Sequence, residues 1–166
     1  MQEITSIALV LLSIYLLLAA FLYLYQRKLL YFPMPVDPAF SAQNVTIDNQ
    51  GVRLHGWVLN PGREKAVIYF GGNSELITHR RGFFEDVFGD YSVYLVDYRG
   101  FGNSEGRPSE TGLFSDALAI FDTVSAAHES VSAYGRSLGS GVAVYLAARR
   151  PLEKLMLLTP YDSVAR

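Results

Sequence analysis

The sequence contains no cysteine, which excludes disulfides, thiolate metal ligands and a thiol nucleophile. It has only three histidines, His55, His79 and His128, and no HExxH pattern, so we expect neither a zinc site nor any other cofactor. Basic residues are not in excess, because 14 Lys and Arg stand against 16 Asp and Glu. With a net charge of −2 the chain has no basic excess to neutralise a phosphate backbone, so nucleic acid is not an expected partner.

What the sequence does have is apolar residues, which make up 50% of the chain. Residues 4–25 form an uncharged apolar run that, at about 1.5 Å per residue, would reach roughly 33 Å as a helix and cross a bilayer. A secretory signal peptide would start with basic residues and have a shorter apolar run. We therefore predict a retained transmembrane anchor in residues 1–28, with the lipid bilayer as a partner.

The orientation of the predicted anchor in the membrane follows from the charged residues beside the apolar run. Arg27 and Lys28 come directly after it, and positive residues favour the cytoplasmic side of a membrane. The chain is thus predicted to be a single-pass membrane protein with a cytoplasmic soluble domain. A proline-punctuated linker, residues 29–43, separates the anchor from the domain at 44–166.

Strand-like and helix-like patterns alternate through this domain. Apolar or alternating runs predict strands, and 3.6-residue periodicity or a small-residue run before a proline predicts helices. The predicted strands are 44–48, 52–59, 66–70, 91–96, 131–134 and 155–158, and the predicted helices are 76–88, about 110–127 and 140–149. Strand–helix–strand repetition of this kind predicts an α/β fold with a mostly parallel sheet and helices on both faces.

A GxSxG motif, Gly135 to Gly139, lies between a predicted strand and a predicted helix. In that context the motif is typical of a nucleophile elbow, a sharp turn that exposes a serine hydroxyl. Ser137 is the candidate nucleophile, and the helix that follows offers backbone N–H groups to a developing oxyanion. A second glycine turn, Gly71-Gly72-Asn73-Ser74, follows an earlier buried strand. Serine hydrolases that have a nucleophile elbow place another oxyanion donor at this position.

These motifs, together with the long DYRGFGNSEG match and the segments YFGGNSE, AYGRSLGSG and LLTPYDS, resemble the α/β-hydrolase superfamily, specifically its compact membrane-anchored abhydrolase-domain serine hydrolases. The resemblance implies cleavage of an acyl ester, thioester or amide through an acyl-enzyme. By position it implies that Ser137 is the nucleophile and that the Leu138 amide is one oxyanion donor. The other donor is the amide of Asn73 or of Ser74. The DYRG loop corresponds to a structural segment beside the site.

The resemblance fails where the catalytic triad should be completed. The family order is serine, acid, histidine, but no histidine follows Ser137. Glu153 and Asp162 are the only acids there, and Asp162 matches a turn of the PYDS motif. We therefore expect an incomplete hydrolase domain that lacks its last strands and is inactive alone. A different hypothesis is a non-catalytic membrane-tethered scaffold that retains the half-fold for binding.

Two further expectations concern partners. The apolar strand 155–158 would normally be interior to the sheet, and without neighbours it becomes an exposed edge. We expect self-association or a completing fragment there. Nucleotide binding through the glycine-rich loops is a weak alternative, because the spacing after Gly100 is GxGxxxG and no P-loop motif occurs.

Overall fold

A computed structural model describes residues 2–36 and 40–161, which form two compact units that divide between Phe32 and Pro33. The first unit is helix α1, Gln2–Leu30, which has no buried residue. Among the described residues it is the one helix that is long and apolar enough to cross a membrane, judged by length and composition.

The second unit contains six strands and three α-helices among the described residues. The strands are β1 (Gln43–Asn49), β2 (Val52–Leu59), β3 (Lys65–Phe70), β4 (Tyr91–Val96), β5 (Ser130–Arg136) and β6 (Leu155–Leu158). The helices are α2 (Arg81–Val87), α3 (Glu110–Ser125) and α4 (Leu138–Ala147), and a 3-10 turn, Ile77–Arg80, precedes α2. Ser109 precedes helix α3 and caps its first turn, because its hydroxyl accepts the Gly112 N–H.

The six strands form one sheet in the order β1-β2-β4-β3-β5-β6. Strands β1, β2 and β4 pair antiparallel, whereas β4, β3, β5 and β6 pair in parallel, which confirms the predicted mostly parallel α/β sheet. In the β3–β5 pair, Phe70 lies opposite Gly135. The turns that follow these two strands therefore start side by side at the same edge of the sheet.

The core lies on both faces of the central strand β3, in which every residue from Ala66 to Phe70 is buried. This burial explains its continuous apolar run, because a strand covered on both faces needs no polar side. One face packs in a cluster that includes Trp57, Tyr69 and Phe84. Helices α3 and α4 pack against β3 and β5 and bury apolar residues of their own, such as Leu146.

Two predicted helices differ from the structure. The helix predicted at 76–88 is split, because Leu76 has extended backbone angles and a 3-10 turn comes before α2. Hydrogen bonds that hold the preceding turn in place, described below, compete with a regular helix start. Helix α4 begins at Leu138 rather than at residue 140, so it starts directly after Ser137.

Strand β6 lies at one end of the sheet, and no described strand pairs with its outer side. It occupies the residues predicted for it and pairs in parallel with β5. Its side chains Leu155, Leu157 and Leu158 are 39%, 38% and 42% exposed. The predicted apolar edge is thus present in the described part of the chain.

Candidate active site

Ser137 is the turn residue between β5 and α4, and its backbone is strained. Its φ of 49° and ψ of −115° lie where few non-glycine residues are found. The Ser137 N–H donates to the Leu158 carbonyl oxygen at 3.0 Å, and its own carbonyl accepts the Ser140 hydroxyl at 2.6 Å. The side chain is exposed and makes no hydrogen bond to another described residue. The hydroxyl is therefore held outward by a turn that the surrounding backbone fixes.

The glycines of the motif allow the close approach that this turn requires. A Cβ on Gly139 would lie 1.9 Å from the Phe70 carbonyl oxygen, and one on Gly135 would lie 2.4 Å from the Gly139 oxygen. Because no real Cβ tolerates such distances, only glycine lets the first turn of α4 lie against the end of β3. This contact joins the elbow to the turn that follows β3.

That second turn is held by side chains from other elements. The Tyr98 hydroxyl donates to the Gly71 carbonyl oxygen at 2.8 Å, and the Gly72 N–H donates to Glu75 Oε2 at 2.6 Å. Ser74 has a φ of 53°, so this turn also contains a left-handed non-glycine residue. Asn73 and Ser74, the two predicted alternatives for an oxyanion donor, line a polar depression together with Arg136. The structure thus brings the predicted turn beside the elbow.

Glu75 is the residue that the sequence analysis missed. Its carboxylate accepts the Tyr69 hydroxyl at 2.9 Å and contacts Arg80 Nε at 2.7 Å and Arg136 Nη1 at 2.9 Å, in addition to the Gly72 amide. Burial alone would raise the pKa of Glu75, but these hydrogen bonds outweigh it and the pKa is lowered. The carboxylate is therefore charged at neutral pH, and it connects the turn to the residue before Ser137.

The DYRG loop contacts the turn after β3 through Tyr98, and its Arg99 is anchored on α3. Arg99 forms a two-point ion pair with Asp116 of α3, at 2.7 Å and 2.5 Å, and Asn49 also donates to Asp116 at 2.7 Å. Burial raises the pKa of Asp97 to about 6, partly offset by a hydrogen bond from the Asn103 backbone. Neither carboxylate contacts Ser137.

None of the three histidines hydrogen-bonds Ser137. His128 contacts the Tyr94 hydroxyl and the Arg63 carbonyl oxygen, each at 2.8 Å, beyond the end of α3. His55 lies on β2, with its ring against Trp57, and His79 is an exposed residue of the 3-10 turn. The described residues contain no cluster of His, Asp or Glu suited to a metal ion. Asp162 lies outside the described residues.

Comparison with known proteins places the chain in a family. The profile of the family described as serine aminopeptidase, S33, matches residues 64–165. The chain belongs to this family of the α/β-hydrolase superfamily. An uncharacterised protein of Mycobacterium tuberculosis is 38% identical over 160 residues, covering 87% of this chain and 57% of that protein. The chain therefore spans little more than half the length of that relative.

Two other similar proteins have names that describe an activity. The lysophosphatidylserine lipase ABHD12 of Gallus gallus is 42% identical over 81 residues, which cover 45% of this chain and 21% of the lipase. The structure of the Pyrococcus furiosus esterase Pf2001 matches with a TM-score of 0.54 and 24% identity, covering 69% of this chain and 51% of the esterase. At that identity the esterase confirms the fold alone.

Gly139→Ala tests the close contact between the elbow and β3. The added methyl group would overlap the Phe70 carbonyl, so we expect a loss of about 3 kcal/mol in the free energy of unfolding. Gly82→Ala is the matched control, because a Cβ there meets nothing within 4 Å and Gly82 lies in α2. The control should be neutral or stabilising by up to about 1 kcal/mol. Urea unfolding in mild detergent measures both, and equal curves for the two variants would contradict the contact.

Proposed function

We propose that this chain carries the nucleophile half of a serine hydrolase and that Ser137 is the nucleophile. The observation that carries the proposal is the strained backbone of Ser137, with φ of 49°, at an exposed turn between β5 and α4. Strain of this kind persists where surrounding structure enforces it, and it is typical of functional turns. The family assignment supports the same reading, since the motif lies where α/β-hydrolases place their serine.

The proposed reaction is acyl transfer. The Ser137 oxygen attacks the substrate carbonyl carbon while its proton passes to a base, and the carbonyl oxygen becomes an oxyanion. The Leu138 amide, at the first residue of α4, and the amide of Asn73 or Ser74 donate hydrogen bonds to that oxygen. Collapse of the tetrahedral intermediate releases the alcohol or amine, which takes up a proton, and water then hydrolyses the acyl-enzyme.

No described histidine is hydrogen-bonded to Ser137 as a catalytic base would be, although His79 lines the depression beside the elbow. His55, His79 and His128 make no hydrogen bond to Ser137, and a serine hydroxyl without a base is a poor nucleophile at neutral pH. Loss of the histidine of a triad costs about 10⁶-fold in rate. We therefore propose that this chain by itself turns over an ester very slowly. The competing hypothesis, a non-catalytic scaffold, makes the same prediction for turnover but not for chemical rescue.

Imidazole rescue separates these two hypotheses. We expect a fluorophosphonate probe to label the full chain weakly, and added imidazole to increase labelling at least about tenfold by supplying the missing base. Ser137→Ala should abolish the labelling, while Ser125→Ala, a control at the end of α3, should leave it unchanged. Mass spectrometry would locate the adduct. No labelling at Ser137 with imidazole present would favour the scaffold and reject the hydrolase proposal.

We further propose that the substrate is an acyl ester of a lipid and that α1 anchors the protein to the bilayer that supplies it, with the second unit in the cytoplasm. Support comes from the apolar composition of α1, from Arg27 and Lys28 in its last turn, and from the lipase named above.

The anchor is testable by extraction. Alkaline carbonate should leave the full chain in the membrane pellet. Replacing Leu11 and Leu16 together with arginine should release it, because each charge at the centre of a span costs about 3 kcal/mol. Protease added to sealed inverted vesicles should digest the second unit if it faces the cytoplasm. A chain that carbonate extracts, or a second unit protected in such vesicles, would contradict the anchor or the orientation, respectively.

We propose, finally, that a second copy of the chain pairs along the outer side of β6. Unpaired strand edges with apolar side chains bind other strands, and identical edges are self-complementary when antiparallel.

Sedimentation of the full chain in detergent should show a concentration-dependent dimer. Leu157→Lys should weaken it at least about tenfold, because edge charges oppose pairing. Val87→Lys, a control on the exposed part of α2, should not, and a monomer at all concentrations would contradict the proposal.

A further inference from the structure

The polar depression beside the elbow carries more positive than negative charge. Its lining includes Glu75, Arg80 and Arg136, and Glu75 is the only acid among the described residues that line it. Both arginines contact the same carboxylate, at 2.7 Å and 2.9 Å. One carboxylate cannot neutralise two guanidinium groups, so the described lining residues leave one positive charge uncompensated.

The shared carboxylate has no capacity left for further donors. Oε1 accepts from the Tyr69 hydroxyl and Arg80, and Oε2 accepts from the Gly72 amide and forms an ion pair with Arg136 Nη1. The Glu75 side chain is also only 7% exposed. It therefore serves as a buried fixed point that orients both guanidinium groups.

The arginines, in contrast, retain donors that face solvent. Arg80 is bonded through Nε alone, so its two terminal nitrogens make no hydrogen bond to the described residues. Arg136 is bonded through Nη1, and the side chains of Arg80 and Arg136 are 38% and 34% exposed. Guanidinium groups with several aligned donors match the geometry of phosphate and carboxylate oxygens.

Position connects this charge with the proposed chemistry. Arg136 directly precedes Ser137, so their Cα atoms are about 3.8 Å apart. Asn73 and Ser74, which carry the alternative oxyanion amides, belong to the same lining. A group bound in the depression would therefore contact the residue before Ser137 and the residues that carry the proposed oxyanion amides, although Ser137 itself is not among the lining residues.

We propose that the depression is a subsite for an oxyanion, a phosphate or a carboxylate, carried by the substrate. The inference rests on the proposed function and narrows it to acyl esters with an anionic group close to the scissile bond. Arg80 supplies most of the binding through its two terminal nitrogens, which make no hydrogen bond to the described residues, and Glu75 positions both arginines.

Binding measurements test the subsite without depending on catalysis. The probes are three soluble butyrate esters that differ in the end of the alcohol: 3-butyryloxypropyl phosphate, 4-butyryloxybutanoate and 3-butyryloxypropan-1-ol. Calorimetry on the full Ser137→Ala chain in neutral detergent should show at least about tenfold tighter binding of an anionic ester than of the neutral one. The preferred anion then distinguishes a phosphate ester from a carboxylate ester as the substrate class.

Variants assign the effect to the depression. Arg80→Gln should remove most of the anionic preference, and Arg80→Lys, which keeps the charge but not the paired donors, should retain part of it. Arg81→Gln is the matched control, because Arg81 pairs with Glu85 outside the depression. Circular dichroism would verify that Arg80→Gln is folded, and if it is not, the Arg Nε–Hε resonances of the wild-type chain report binding directly.

Equal affinity for all three esters, or an anionic preference unchanged in a folded Arg80→Gln chain, would overturn the subsite. The test of the subsite and the test of the proposed nucleophile can fail independently of each other. Loss of anion binding with intact labelling of Ser137 would reject the subsite alone, whereas anion binding with an unreactive Ser137 would reject the nucleophile alone.

Discussion

The arrangement of the site depends on one contact between two stretches of backbone. Gly139, in the first turn of α4, lies so close to the Phe70 carbonyl that no side chain fits between them. The parallel register of β3 and β5, with Phe70 opposite Gly135, brings the two strand ends to the same level. The glycines then allow helix and strand to close on each other. The Ser137 turn and the turn at Gly71 are neighbours because of this contact.

Around this contact the polar groups form a connected network. Tyr98 holds one carbonyl of the β3 turn, and Glu75 holds one of its amides and also contacts the residue that precedes the serine. A buried carboxylate of this kind is stable only with its partners present, because an unpaired buried charge is costly. The network therefore fixes the turn and leaves excess positive charge at its edge.

Much of the sheet and of the Ser137 turn could be predicted from the sequence, whereas the role of Glu75 could not. The physical reason differs from one element to the next. The apolar run at β3 and the glycine spacing around Ser137 are local patterns, and each requires a particular structure. The role of Glu75 is not local, since Tyr69, Arg80 and Arg136 meet it from three elements. Its one sequence signal is an acid three residues after Gly72, the spacing by which a side chain reaches back to a backbone amide. The same bond explains why the helix predicted at 76–88 begins late.

The hydrogen bond from the Ser137 amide to the Leu158 oxygen couples the strained turn to the outermost strand. Strand β6 has four residues and is paired on one side within the described chain, so it belongs to the parts of a fold that open most readily. Each transient fraying of β6 releases the serine amide and removes one restraint on its torsion angles. The restraint on the outward hydroxyl therefore depends in part on the pairing of β6, and amide hydrogen exchange at Ser137 is expected to follow the opening of that strand.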